Sequence, residues 1–192
     1  MNWTRKLKLM NACKEAVKWC ENYDSLAEAW QACEQGHWML WLLGKLSGGP
    51  ETDSRKKLVL ATCGCARLAL TYVKEGEIRP LKAIETAEAW GRDESGVTLS
   101  DVRAAANAAA DAVYAANAAY AAYFAASAAY YAANAADAAV YAAYATDAAY
   151  DAADAAANGK KKSILKQCAD IVRQHYPHAP HFKRGMNAKH KG

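Results

Sequence analysis

Glu85 and Glu88 stand one helical turn apart in Ala83-Ile-Glu-Thr-Ala-Glu-Ala-Trp90, so a helix there sets both carboxylates on one face. Paired carboxylates can do acid–base work, but a single acidic pair on one helix reads as a solvated face. His175, His178 and His181 recur every third residue in His-Tyr-Pro-His-Ala-Pro-His. Pro177 and Pro180 keep that stretch extended, so it would catch a metal ion only adventitiously. Cys33 and His37 are four apart, yet Gly36 lies between them and no second pair completes a zinc site. The chain has no Cys-x-x-Cys, no glycine-rich phosphate loop, no His-Glu-x-x-His and no serine in a nucleophile-elbow setting. The expectation is a protein that is not an enzyme and needs no cofactor or metal.

A chain of 192 residues is long enough for one domain with a proper core. Its net charge of +4 conceals a partition. Residues 104–159 hold five Asp and no Lys or Arg, while basic groups gather in Arg5-Lys6-Leu7-Lys8, Arg55-Lys56-Lys57, Lys160-Lys161-Lys162 and the C-terminal tail. Such faces are solvated cations that balance the acidic segment, or a surface for phosphates or an acidic protein. The N-terminus lacks the apolar core of a secretion signal, and no apolar run has membrane-spanning length. The expected location is therefore cytoplasmic, without membrane contact and with the six cysteines reduced and mostly buried.

Apolar residues recur at helical spacing from Thr4 to about Tyr23. Ser25-Leu-Ala-Glu28 has the form of a capping box and starts a second helix, which Gly36 is expected to end. His37 to Leu43 is apolar all round and suits a short buried helix. Further helices are expected from about Ser54 to Val73, with Leu58, Leu60, Ala61, Cys65, Leu68 and Ala69 inward, and from Leu81 to Trp90 behind Pro80. Thr98-Leu-Ser-Asp101 launches the alanine tract, Asn158-Gly159 stops it, and Ser163 to His175 is the last helix. The fold expected is all-α: a single-domain multi-helix bundle over residues 1–176, followed by a basic, flexible tail over 177–192.

Within the alanine tract, residues 117–156 repeat every ten: a short polar head, Ala-Ala, then usually Tyr. On a helix turning 100° per residue, the head and the aromatic columns form one stripe and methyl groups cover the rest. A straight helix from Ser100 to Asn158 would measure roughly 85–90 Å, about twice the diameter of a compact chain of this length. The tract is therefore expected to fold back into two or three antiparallel helices, with tyrosines filling gaps along the seams. A protruding rod that joins a homodimer is the other arrangement. A five-residue β-solenoid fits poorly, because the centre of each five is usually Ala.

Four stretches carry a resemblance. They are Gly36-His-Trp-Met-Leu-Trp-Leu-Leu-Gly44, Leu58-Val-Leu-Ala-Thr-Cys-Gly-Cys-Ala-Arg-Leu-Ala-Leu70, Arg79-Pro-Leu-Lys-Ala-Ile-Glu-Thr-Ala-Glu-Ala-Trp90 and Cys168-Ala-Asp-Ile-Val-Arg-Gln-His-Tyr-Pro177. With the tyrosine-studded alanine tract between the last two, residues 20–178 resemble the fifth family of predicted immunity proteins of bacterial polymorphic toxin systems, which also occurs in phages. The resemblance implies a small helical protein that binds and silences a protein toxin or defence effector. Arg67, Arg79, Glu85, Glu88, Arg173 and His175 are the polar residues set among apolar neighbours in those stretches, and Tyr120, Tyr130 and Tyr150 mark the aromatic stripe. These nine are the candidate binding residues; the plain alternative for the charged ones is ion pairing between helices. Two further readings stay open: a sponge for a nucleotide second messenger, and a nucleic-acid-binding accessory protein working through its basic tail.

Overall fold

Three helices of this chain, those that begin at Leu26, Asp53 and Leu99, start where a Ser or Thr side chain satisfies a free backbone N–H of the first turn. Thr98 Oγ1 accepts from Asp101 N at 3.3 Å while Asp101 Oδ2 accepts from Thr98 N at 2.8 Å, a complete capping box. Thr52 Oγ1 caps another helix by accepting from Arg55 N at 3.3 Å. The computed structural model describes residues 3–116, 120–139, 141–156 and 161–182, which carry ten α-helices and no strand. These are α1 Thr4–Leu9, α2 Lys14–Cys20, α3 Leu26–Ala32, α4 Gly36–Leu46, α5 Asp53–Arg67, α6 Arg79–Gly91, α7 Leu99–Ala115, α8 Tyr120–Asn134, α9 Tyr141–Ala155 and α10 Lys161–His175. The all-α bundle is thus as the residue pattern indicates. None of these helices is long and apolar enough to cross a membrane.

The alanine tract folds back. It supplies α7, α8 and α9, with α8 lying against both of its neighbours and α9 reaching α4, α5 and α10 as well. Ala125, Ala128, Ala129, Ala132 and Ala133 of α8 are wholly buried, as are Ala142, Ala145, Ala149, Ala152 and Ala153 of α9. Methyl faces let the two backbones approach closely, so dispersion between many small contacts replaces bulky core side chains. Near the α8–α9 turn the phenol rings gather: the Tyr131 centroid lies 6.0 Å from Tyr141 and 5.7 Å from Tyr144. Of the polar heads, Asp137 falls in that turn, Ser127 and Asp147 lie within helices, and Asn117 is outside the described residues.

Arg55 locks the turn in place. Its side chain donates to Ala136 O at 3.2 Å, Asp137 O at 2.9 Å and Gly48 O at 2.7 Å, tying the α4–α5 loop to the α8–α9 turn. Arg103 closes the same corner by clasping the Asp137 carboxylate with Nε at 2.8 Å and Nη2 at 2.6 Å.

Several boundaries differ from the residue pattern. The expected helix from Thr4 to Tyr23 is two helices, because Asn11 adopts a left-handed φ of 63° and Cys13 is extended. Asn tolerates that conformation better than most residues, so the break costs little. Gly36 opens α4 instead of ending α3, and the chain turns earlier, where Cys33 is extended with ψ 124°. Glu28 completes only half a capping box: its N–H donates to Ser25 Oγ at 3.2 Å, but its carboxylate accepts from Asp24 N. Leu60 and Leu68 are half-buried, whereas Val59, Thr62, Cys63 and Ala66 are wholly enclosed; α5 is thus covered on nearly every side.

The short helices α1–α3 form a layer beside α4 and α9, fastened to α10 and the segment after it. Trp30 Nε1 donates to Tyr176 O at 2.9 Å, and Gln31 Nε2 donates to Pro177 O at 2.8 Å. Lys6 Nζ sits 4.9 Å from the Phe182 centroid. Residues 183–192 of the expected tail are outside the described residues.

Candidate binding cleft

Where that N-terminal layer meets the bundle, the two do not close. An open cleft of about 460 Å³ remains, and helical spacing explains its walls. Cys13, Ala16 and Cys20 lie on one face of α2 and its leading residue; Leu26, Ala29, Trp30 and Cys33 repeat the pattern on α3. Opposite them, α4 contributes Trp38, Trp41 and Leu42, again three and four apart, and α9 contributes Tyr144 and Asp147. Gly36 fixes the angle of α4: a Cβ there would stand 2.4 Å from Cys168 Cβ, so only glycine lets α4 rest on α10. The left-handed bend at Asn11, itself a lining residue, brings α2 round to face α4.

Indoles dominate the surface. Trp19 packs on Trp38 with centroids 6.0 Å apart, and His37 meets the Trp38 ring edge-on at 5.5 Å. Tyr144 is 47% exposed and continues the aromatic lining to the solvent edge of the cleft. A pocket in this size range, mostly apolar with a few polar groups, is the usual form of a binding site.

Three polar features stand out. His37 Nδ1 is enclosed and has no hydrogen-bond partner among the described residues; burial lowers its pKa to about 4, so the ring is neutral at pH 7. Cys33 Sγ donates to Gln35 O at 3.6 Å, and burial raises its pKa, so the thiol stays protonated. Asp147 keeps much of its surface in solvent, yet the apolar wall behind it, together with Asp151 one turn on, pushes its carboxyl up to about 6. Among the described residues, no Lys or Arg lines the cleft.

Of the nine residues picked out from the sequence, the eight whose side chains are described lie elsewhere, and none of those eight lines the cleft. Arg67 and Glu88 join α5 to α6 through two bonds of 2.7 Å. Arg79 clasps Glu77, one short turn before it, with Nε at 2.8 Å. Glu85 is exposed on α6. Arg173 donates to Trp30 O at 3.1 Å and Cys33 O at 2.7 Å, holding the end of α3 against α10. His175 is half-buried, with its pKa lowered by burial and by Lys57. Tyr130 packs on Tyr131 at 5.2 Å, Tyr150 is half-buried on α9, and the Tyr120 side chain is outside the described residues. Sequence reasoning missed the tryptophans of α2 and α4. The signal available was Trp19, Trp38 and Trp41 at helical spacing beside small residues, which reads equally well as core.

Comparison of the chain with protein-family models, curated proteins and solved structures finds no match.

Proposed function

We propose that this chain is a non-enzymatic binding protein that captures and neutralises a protein toxin or defence effector, seating an anchor side chain of that partner in the cleft between α1–α3 and the α4–α9 wall. One observation carries the reading: an open, mostly apolar cavity of about 460 Å³ lined by Trp19, Trp38 and Trp41. Interface energy concentrates in such pockets, where one large side chain is fully desolvated against aromatic partners. The four stretches that resemble an immunity-protein family support the same class of partner. The Cys33–His37 pair argues against a nucleophile here, since burial holds the thiol protonated and the imidazole uncharged. The nucleotide-sponge reading ranks second, because no Lys or Arg is among the described residues lining the cleft, Lys45 standing beside the Trp41 ring and not within the lining. A nucleic-acid role through the tail would rest on residues 183–192, beyond the described residues.

The test is co-expression with toxins encoded beside the chain's own gene. Rescue of growth by the wild type, and loss of rescue with Trp38→Ala despite an unchanged helical spectrum, is the expected result. Failure to rescue from every neighbouring toxin, together with no co-purifying partner, would remove the proposal.

A further inference from the structure

We infer that the group seated in the cleft is an apolar body joined to a positive charge: on a partner protein, a large hydrophobic side chain beside a Lys or Arg. This rests on the binding reading above and names the chemistry of the occupant. Three observations meet at the same place. Trp19, Trp38, Trp41 and Tyr144 all line the cleft, and aromatic rings attract cations as well as hydrocarbons. Lys45 Nζ already stands 5.7 Å from the Trp41 centroid, so an ammonium sits comfortably on this wall from outside. At the α9 rim, exposed Asp147 makes no ion pair with another described residue. An exposed acid without an ion pair among the described residues, at the edge of an apolar pocket, is the complement of a cation attached to a hydrophobic group.

The other polar lining residues include Asn11 and His37, whose Nδ1 is enclosed and whose ring is neutral, so neither gives an anion a compensating charge. Lys45 adds a positive charge on the Trp41 side, so the preference depends on which rim the charged group faces. The Asp147 side receives it, because Asp147 is the charged residue that lines the cleft and Lys45 does not line it.

The experiment uses the full chain and three probes that share one apolar body: 4-phenylbutylamine, 4-phenylbutanol and 4-phenylbutanoate. Binding is read from the indole N–H NMR signals of Trp19, Trp38 and Trp41 at pH 7.5 and low salt. The amine is expected to bind tightest and the acid weakest. Asp147→Asn, an exposed and non-disruptive change, should cut amine affinity about two- to fivefold and leave the alcohol unchanged. Acid binding as strong as amine binding, or an amine advantage that survives Asp147→Asn, overturns the inference. Absence of indole shifts with all three probes overturns it too. The parent reading is tested separately by toxin rescue: probe ranking as expected with rescue by Trp38→Ala intact would break the neutralisation reading while leaving the cleft's chemistry standing.

Discussion

Gly36→Ala should destabilise the protein by about 2 kcal/mol and loosen the cleft with it. An added Cβ would lie 2.4 Å from Cys168 Cβ and 2.9 Å from both Ala169 N and Cys168 C. Carbon contacts normally sit at roughly 3.5–4.0 Å, so α4 must lift from α10 by about 1 Å. Two of the three atoms are backbone and cannot rotate away, which places the cost near the upper end of the about 1–3 kcal/mol typical of overpacking. Replacing glycine in a helix recovers up to about 1 kcal/mol. The net of about 2 kcal/mol corresponds to a melting temperature lower by about 4–8 °C in a chain of this size. Gly49→Ala is the control, since nothing lies within 4 Å of its Cβ position; its melting temperature should stay level or rise slightly. Thermal unfolding followed by circular dichroism at the helical band measures both. A Gly36→Ala protein as stable as the wild type would refute the claim that a bare backbone crossing sets the position of α4.

Arg173→Met keeps the aliphatic stem but leaves the carbonyls of Trp30 and Cys33 without their donor; a loss of about 2–4 kcal/mol in denaturant unfolding is expected, with a shift in tryptophan emission as α3 loosens. Acidification supplies a second check. The folded protein holds His37 at about 4 while the unfolded chain titrates near 6.5, so only the unfolded chain gains that proton between those values. Stability from this group is complete above about pH 6.5 and falls as pH drops toward 4; His37→Gln should flatten that slope by about 1–2 kcal/mol after discounting partial exposure, and His175, shifted in the same direction, supplies part of the remainder. Thr98→Ala removes a complete capping box and should cost about 1 kcal/mol, or about 2–4 °C, with no effect on probe binding in the cleft.

What the residues announce and what they conceal divide along a physical line. Local signals were legible: Thr98 and Asp101 form the box their spacing promises, Pro80 sits in the first turn of α6, and the alanine tract folds because its straight length exceeds the molecule. Signals that depend on distant partners were not. Arg55 looks like one member of a basic surface cluster, yet it is buried, because its partners are carbonyls of two loops that no sequence pattern marks. Gly36 looks like a helix breaker, and only the backbone of α10 beneath it explains its place. The cleft is the clearest case. Each wall is a three-and-four stripe of apolar residues, indistinguishable from a core stripe until the N-terminal layer is seen to stop short of α4 and α9.

The most direct measurement is calorimetric titration of the purified chain with the toxin or effector it rescues, comparing wild type, Trp38→Ala and the distant surface variant Glu85→Ala. Capture through the aromatic cleft predicts that Trp38→Ala weakens binding at least about tenfold and that Glu85→Ala leaves it unchanged. Equal affinity for wild type and Trp38→Ala, with affinity lost instead in Glu85→Ala, would contradict the account and move the interface to the α6 face.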